Sequence, residues 1–295
     1  MTALPRPWRD RNGRLSGLRV VTLIVLVLPG LVAAATLMTA EPPPVVGGLA
    51  AADARPITDA IHTTGDWAVR FLLLSLSVTP AMRLFRRPRL VGVRRMIGVA
   101  AFAYALAHIC LYVADQSFDL VKVATEIALR IYLTIGFVAL VGLSTLAATS
   151  TDAMVRRLGP NWQRLHRLTY PIAALALLHF FIQSKIDVSQ PVLMTGFFLY
   201  LLGARLWTAR GWTGAVGLVA LALAAGLATA LVESAWYAVA TGVDPRLVFA
   251  ANLGFALGPR PAVWVAIAGF AVAVAVLAVR RFGARPDARR STAAP

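Results

Sequence analysis

Residues 162–180 read WQRLHRLTYPIAALALLHF. An almost wholly apolar run separates His166 from His179, so one imidazole sits at the mouth of a membrane-grade segment and the other deep inside it. A second stretch, VRRMIGVAAFAYALAHICLY (93–112), has the same plan, with arginines at its mouth and His108 near its far end. At about 1.5 Å per residue, His179 lies about 18 Å beyond Arg167 and His108 about 20 Å beyond Arg95. If both segments enter from the same side, the two imidazoles reach one depth.

The rest of the sequence supports that condition. The chain is 295 residues long and 59% hydrophobic, with a mean hydropathy of +0.72, well above the average apolar content of soluble domains. Apolar runs near 18–38, 65–84, 95–114, 131–149, 167–184, 191–207, 214–239 and 261–280 are each long enough for a hydrocarbon core that takes about 20 helical residues. Lipid offers the backbone no hydrogen-bond partners, so all eight are expected to be helices. The fold class read from the sequence is all-α, a polytopic transmembrane helix bundle.

Arginine sets the orientation. Arg6, Arg9, Arg11, Arg14 and Arg19 precede the first run, six more lie in RLFRRPRLVGVRR (83–95), and Arg156, Arg157, Arg164 and Arg167 lie between the fourth and fifth runs. Arg205 and Arg210 follow the sixth run, and the C-terminal tail is again basic. The intervening loops hold only Arg55, Lys122, Arg130, Lys185, Arg246 and Arg260. The positive-inside rule therefore predicts a multi-pass membrane protein with both termini cytoplasmic. The net charge of +16 is spread among these loops, which reads as topology charge and not as a nucleic-acid surface. The first run, about 20 residues, exceeds a signal-peptide core of roughly 7–15 and reads as an uncleaved anchor. The single cysteine, Cys110, excludes an intrachain disulfide and any multi-cysteine cluster, and reads as packing. The Pro/Gly-rich EPPPVVGG (41–48) reads as a loop, and no internal repeat is evident.

Two depth-matched imidazoles on different helices suit a b-type haem, which takes one neutral imidazole on each face of its iron. Ala101 and Ala105 precede His108, and Ala176 precedes His179, on the same helix faces, leaving room for a porphyrin. Structural zinc wants four ligands, so two histidines are too few. A histidine alone would instead read as a hydrogen bond to a neighbouring helix. His166 has two open readings, a ligand of a second haem or an edge histidine; fourteen residues before His108 stands Arg94, which cannot ligate iron because it stays protonated. Arg94, Arg95, Arg156, Arg157, Arg164 and Arg167 gather around Trp162, either as ordinary basic rim or as a place for a flavin mononucleotide or quinone headgroup. Arg70 either pairs with Asp66 at i,i+4 or meets a haem propionate. His62 reads as a loop histidine ahead of the second helix.

These stretches carry a family resemblance. HTTGDWAVRFLLLSLSVTPAMR (62–83), VRRMIGVAAFAYALAHICLY, TSTDAMVRRLGPNWQRLHRLTY (149–170) and LALLHFFIQSK (175–185), in this order, resemble the haem-binding membrane subunits of the bacterial periplasmic methionine-sulfoxide reductase system, the MsrQ/YedZ type. That type is similar in turn to the ferric-reductase-like transmembrane superfamily, which includes the NADPH oxidases. The resemblance implies a six-helix core (18–210) with b-type haem, His108 and His179 at the outer-haem histidines, His166 at a third, and Arg94 where the oxidases have a fourth. It implies FMN as a further cofactor. It also implies electron flow from the membrane quinol pool to a periplasmic molybdopterin methionine-sulfoxide reductase, the partner that performs the catalysis. The two apolar runs of 211–281 depart from the family pattern, with Glu233 the one acid well within them; residues 1–17 and 282–295 are read as cytoplasmic tails. With no G-x-G-x-x-G motif, direct NADPH oxidation is not expected. Two further readings remain: a stand-alone haem ferric or quinone reductase, and a histidine-lined proton or solute transporter.

Overall fold

A computed structural model describes residues 8, 14–39, 45–46, 49–50, 56–185, 187–254 and 258–282. Arg6, Arg9, Arg11, Arg55 and most of the C-terminal basic tail lie outside the described residues. Among those described, eight helices are long and apolar enough to cross a membrane. The chain is a polytopic all-α bundle. Among the described residues, Val45–Val46 pairs antiparallel with Leu49–Ala50, overlapping the stretch expected to be loop.

The chain divides into two compact units. The first comprises residues 1–78 and 89–194. It contains α1 (Gly17–Thr39), α2 (Pro56–Leu84) as far as Val78, α3 (Val91–Asp115), α4 (Leu120–Leu129), α5 (Ile131–Ala148), α6 (Asp152–Leu158), α7 (Pro160–His166), α8 (Thr169–Gln183) and the start of α9 (Ser189–Ala209). Its principal packing is α5 along α8, with α1 and α5 against α3 and α4 against α5. Gly142 lets α5 approach α8 closely: a Cβ there would stand 2.7 Å from Ile172. The amphipathic α4 and the short α6 are set by caps, Asp119 accepting from the Lys122 amide and Thr151 from the Met154 amide. Between α6 and α7, Gly159 adopts φ 52° and ψ −129°, a region open in practice only to glycine. Pro160 then occupies the first turn of α7.

The helix bearing His62 begins earlier than its apolar run. Pro56 sits at the first helical position, where its fixed φ is pre-set for the helix, so His62 is an exposed helical residue and not a loop histidine. Cys110 is likewise exposed on α3 instead of packed.

The second unit comprises 79–88 and 195–295. Within it α10 (Ala215–Thr241) packs extensively on α12 (Pro261–Phe282), with α11 (Pro245–Leu253) against both. Small residues make the seam: a Cβ on Gly226 would stand 3.1 Å from the Ala262 carbonyl, and one on Gly269 would stand 2.5 Å from the Ala222 Cβ. Such seams let helix backbones approach where lipid supplies no hydrophobic drive between them. Glu233, fully buried on α10, pairs with Arg260 and accepts from Asn252 of α11 at 2.8 Å.

Candidate functional site

The first unit brings His108 and His179 together. Their ring centroids are 6.3 Å apart and their planes cross at 84°. Each ring is anchored through one nitrogen. His108 Nδ1 lies 2.8 Å from the Ile61 carbonyl oxygen of α2, and His179 Nδ1 lies 2.7 Å from the Tyr132 carbonyl oxygen of α5. A carbonyl can only accept, so both rings carry their proton on Nδ1 and present Nε2 as a free lone pair. Two neutral imidazoles with oriented second nitrogens are the donor set that a bis-histidine iron requires.

The spacing agrees with that use. A metal–imidazole nitrogen bond is about 2 Å long. Ring atoms stand about 1.1 Å from the centroid for C–N bonds of about 1.33 Å. Two axial imidazoles on one metal therefore place their centroids about 6 Å apart, which matches the observed separation. Among the described residues there is no cluster of three or more His, Cys, Asp or Glu side chains suited to holding a bare metal ion. The fit is to a metal that brings its other ligands with it.

Glycines back both rings. A Cβ on Gly65 would stand 3.0 Å from His108 Nδ1, and one on Gly136 would stand 2.7 Å from His179 Nδ1. Sequence reasoning missed both. Of the alanines expected to leave room, Ala101 is fully buried in the packing, whereas Ala105 and Ala176 are half-buried.

The basic rim at the starts of α3 and α8 holds Arg94, Arg95, Trp162 and His166. Trp162 stacks on His166, with centroids 3.9 Å apart and planes 24° from parallel. Its indole N–H donates to the Thr149 carbonyl at 2.9 Å. His166 Nδ1 lies 3.1 Å from the Trp162 carbonyl and Nε2 lies 3.4 Å from Ser150 Oγ, so both of its nitrogens have neighbours. Arg95 forms an ion pair with Asp152 at 2.7 Å, and the charges of Arg94 and Arg95 are both close enough to be felt at His166. Arg70, on α2, bonds Asp66 and Gln190, each at 3.2 Å, and its guanidinium lies 5.1 Å from the Trp67 ring centre.

Near the histidine pair, Tyr112 donates to Glu126 at 2.5 Å, and Arg130 bridges Glu126 and the Tyr132 hydroxyl, each at 3.2 Å. This network ties α3, α4 and the start of α5 together beside the carbonyl that anchors His179.

Comparison with known proteins agrees with this arrangement. The family described as "Ferric reductase like transmembrane component" matches residues 64–177, a span that contains His108 and His166 and ends two residues before His179. A "Protein-methionine-sulfoxide reductase heme-binding subunit MsrQ" of Xanthomonas euvesicatoria pv. vesicatoria is 43% identical over 162 residues, covering 55% of this chain and 74% of that protein. The protein of the same description from Xanthomonas oryzae pv. oryzae is 43% identical over 161 residues (54% and 74%). That from Rhodospirillum rubrum is 43% identical over 155 residues (52% and 74%). No solved structure matches the chain at a significant level. With 43% identity across about three-quarters of each relative, and a ferric-reductase-like segment running from α2 into α8, the chain belongs to the MsrQ family.

Proposed function

We propose that this chain carries electrons across a bacterial inner membrane and delivers them to a periplasmic methionine-sulfoxide reductase, by way of b-type haem held between His108 and His179. The observation that carries the reading is the anchored imidazole pair: two rings 6.3 Å apart, each with Nδ1 committed to a carbonyl. The relatives' description as heme-binding subunits of a methionine-sulfoxide reductase supplies the partner.

When bound, b-type haem supplies a one-electron couple inside the apolar core. The chain's own residues do the rest. The Ile61 and Tyr132 carbonyls fix the tautomer and rotation of the rings and raise their basicity as ligands. The surrounding apolar helices keep water from the pair. At the basic end, Arg94, Arg95 and the Trp162–His166 stack form the side at which an FMN phosphate or a quinol headgroup is received, and service of His166 as a further ligand requires release of its Nε2 from Ser150. Arg70, midway along α2, is a candidate partner for a haem propionate, sharing its charge with Asp66. The basic rim faces the cytoplasm with both termini, and the histidine pair lies toward the periplasm. Residues 18–210 form the electron-transfer core, 211–281 add two helices, and sulfoxide reduction takes place on the separate, molybdopterin-containing partner.

The test is a redox-titrated visible spectrum of the purified full chain with flavin analysis, repeated on His108→Ala and His179→Ala. Low-spin haem in the parent and its loss in each variant are expected. Full retention in either variant refutes the ligand assignment.

A further inference from the structure

We infer that Gly65 and Gly136 are matched positioning residues that set the crossed orientation of the two imidazoles. The inference rests on the reading that His108 and His179 hold b-type haem. His108 lies 47 residues after the residue whose carbonyl anchors it, and His179 also lies 47 residues after its own. In each case a glycine follows the anchoring residue by one helical turn, Ile61 to Gly65 and Tyr132 to Gly136. In an α-helix that carbonyl already accepts from the amide four residues on. A second donor can reach it only if the ring comes down onto the helix surface beside residue i+4. A side chain at i+4 would occupy that space.

The contacts show how closely the rings come down. A Cβ on Gly65 would stand 3.0 Å from His108 Nδ1 and 3.2 Å from Cε1; one on Gly136 would stand 2.7 Å from His179 Nδ1, 2.9 Å from Cε1 and 3.0 Å from Cγ. A third instance occurs without an imidazole. Tyr104 donates to the Leu26 carbonyl at 2.9 Å, and a Cβ on Gly30, four residues on, would stand 2.8 Å from its hydroxyl. The device is therefore a general means of docking a polar side chain on a helix backbone in lipid, applied twice at one spacing to make two equivalent halves of a site. An internal repeat thus exists, carried by a carbonyl, a glycine and a histidine in each half.

The functional consequence is electronic. Each carbonyl fixes the plane of its ring, and the two planes cross at 84°. Crossed axial imidazoles leave the two iron orbitals that overlap them nearly equal in energy. Ferric haem so ligated gives a strongly anisotropic low-spin electron paramagnetic resonance signal, whereas parallel rings give a rhombic one. The Nδ1–H donation also strengthens each ring as a ligand and favours the ferric state.

Gly65→Ala and Gly136→Ala in the full chain test this, with Gly98→Ala as the control, since a Cβ there meets only Ser75 Oγ, at 3.8 Å. The parent should give the strongly anisotropic signal. Each test variant should move it toward rhombic and raise the haem midpoint potential, Gly136→Ala more than Gly65→Ala; loss of haem from a folded test variant, with haem kept in the control, supports the same conclusion. Haem-loaded test variants with the parental signal and potential overturn the inference, as does a rhombic signal in the parent. If Gly136→Ala does not accumulate, Gly65→Ala decides, its nearest contact being the looser one. A parent without any bis-histidine low-spin signal would instead overturn the site reading itself.

Discussion

Glu233 gives the sharpest stability prediction. Its side chain is 1% exposed in the α10 helix, and its carboxylate accepts from Arg260 at the start of α12 and from Asn252 of α11. Arg260→Ala leaves that carboxylate buried with only the Asn252 amide. Removing one partner of a buried pair costs about 3–5 kcal/mol. The Arg260 side chain is 24% exposed, so part of its loss is made good by water and the low end applies, about 3 kcal/mol, or roughly 150-fold in the unfolding equilibrium at about 1.4 kcal/mol per decade. Replacing both groups with methionine removes the buried charge along with its partner and should cost far less, since apolar replacement of an ion pair is often neutral. Titration of the detergent-solubilised chain with sodium dodecyl sulfate, followed by far-ultraviolet circular dichroism, measures the parent and both variants on one scale. An Arg260→Ala variant within 0.5 kcal/mol of the parent, on the order of the additivity error, or a double variant worse than the single one, would refute the argument that this pair clamps α10, α11 and α12.

Other perturbations follow from single contacts. Tyr104→Phe removes the bond to the Leu26 carbonyl and should cost about 0.6 kcal/mol, the average for interhelical bonds in lipid, in the same titration. Arg95→Ala breaks an ion pair whose side chains are 45% and 75% exposed, so less than about 1 kcal/mol is expected. Gly217→Ala would drive a Cβ into the Trp207 indole; the indole must move, at about 1–3 kcal/mol, with a changed tryptophan emission. The Ser189 hydroxyl, and after it the Ser189 amide, hold the Asp187 carboxyl below its ordinary 3.8. Its contribution to the start of α9 is therefore complete above that value and is lost as pH falls through the lower folded value. Amide exchange at Gln190 and neighbouring positions, corrected for intrinsic rates, should show this acid step in the parent and not in Asp187→Asn.

The eight spans were legible in the sequence because lipid imposes a length and a composition on any helix that crosses it, and 59% hydrophobic residues leave little else for those runs to be. The meeting of His108 and His179 was legible because rise per residue converts sequence position into depth. Short helices were not: α4, α6 and α11 owe their limits to single capping groups, Asp119, Thr151 and Asp244, which a hydropathy run does not register. His62 was misread for a related reason, since helix α2 extends from Pro56 past the end of its apolar stretch. The Trp162–His166 stack was hidden because the aromatic residue expected to be open to a ligand ring had a neighbour one turn away on its own segment. Gly65 and Gly136 were invisible as individual residues; the signal that finds them is the equal distance from each anchoring carbonyl to its histidine. Glu233 was noticed as an isolated acid, but its partners come from two other elements, and no local pattern names them.

Because the two imidazoles come from separate hairpins, α2 with α3 and α5 with α8, the ribosome finishes one half of the site well before the other. Every residue from 109 to 179 must be added first, on the order of ten seconds at about 5–20 residues/s. Through that interval no His179 ring exists to oppose the Nε2 lone pair of His108. A prosthetic group held by both rings, as proposed, is therefore captured only once the later hairpin has been made and inserted.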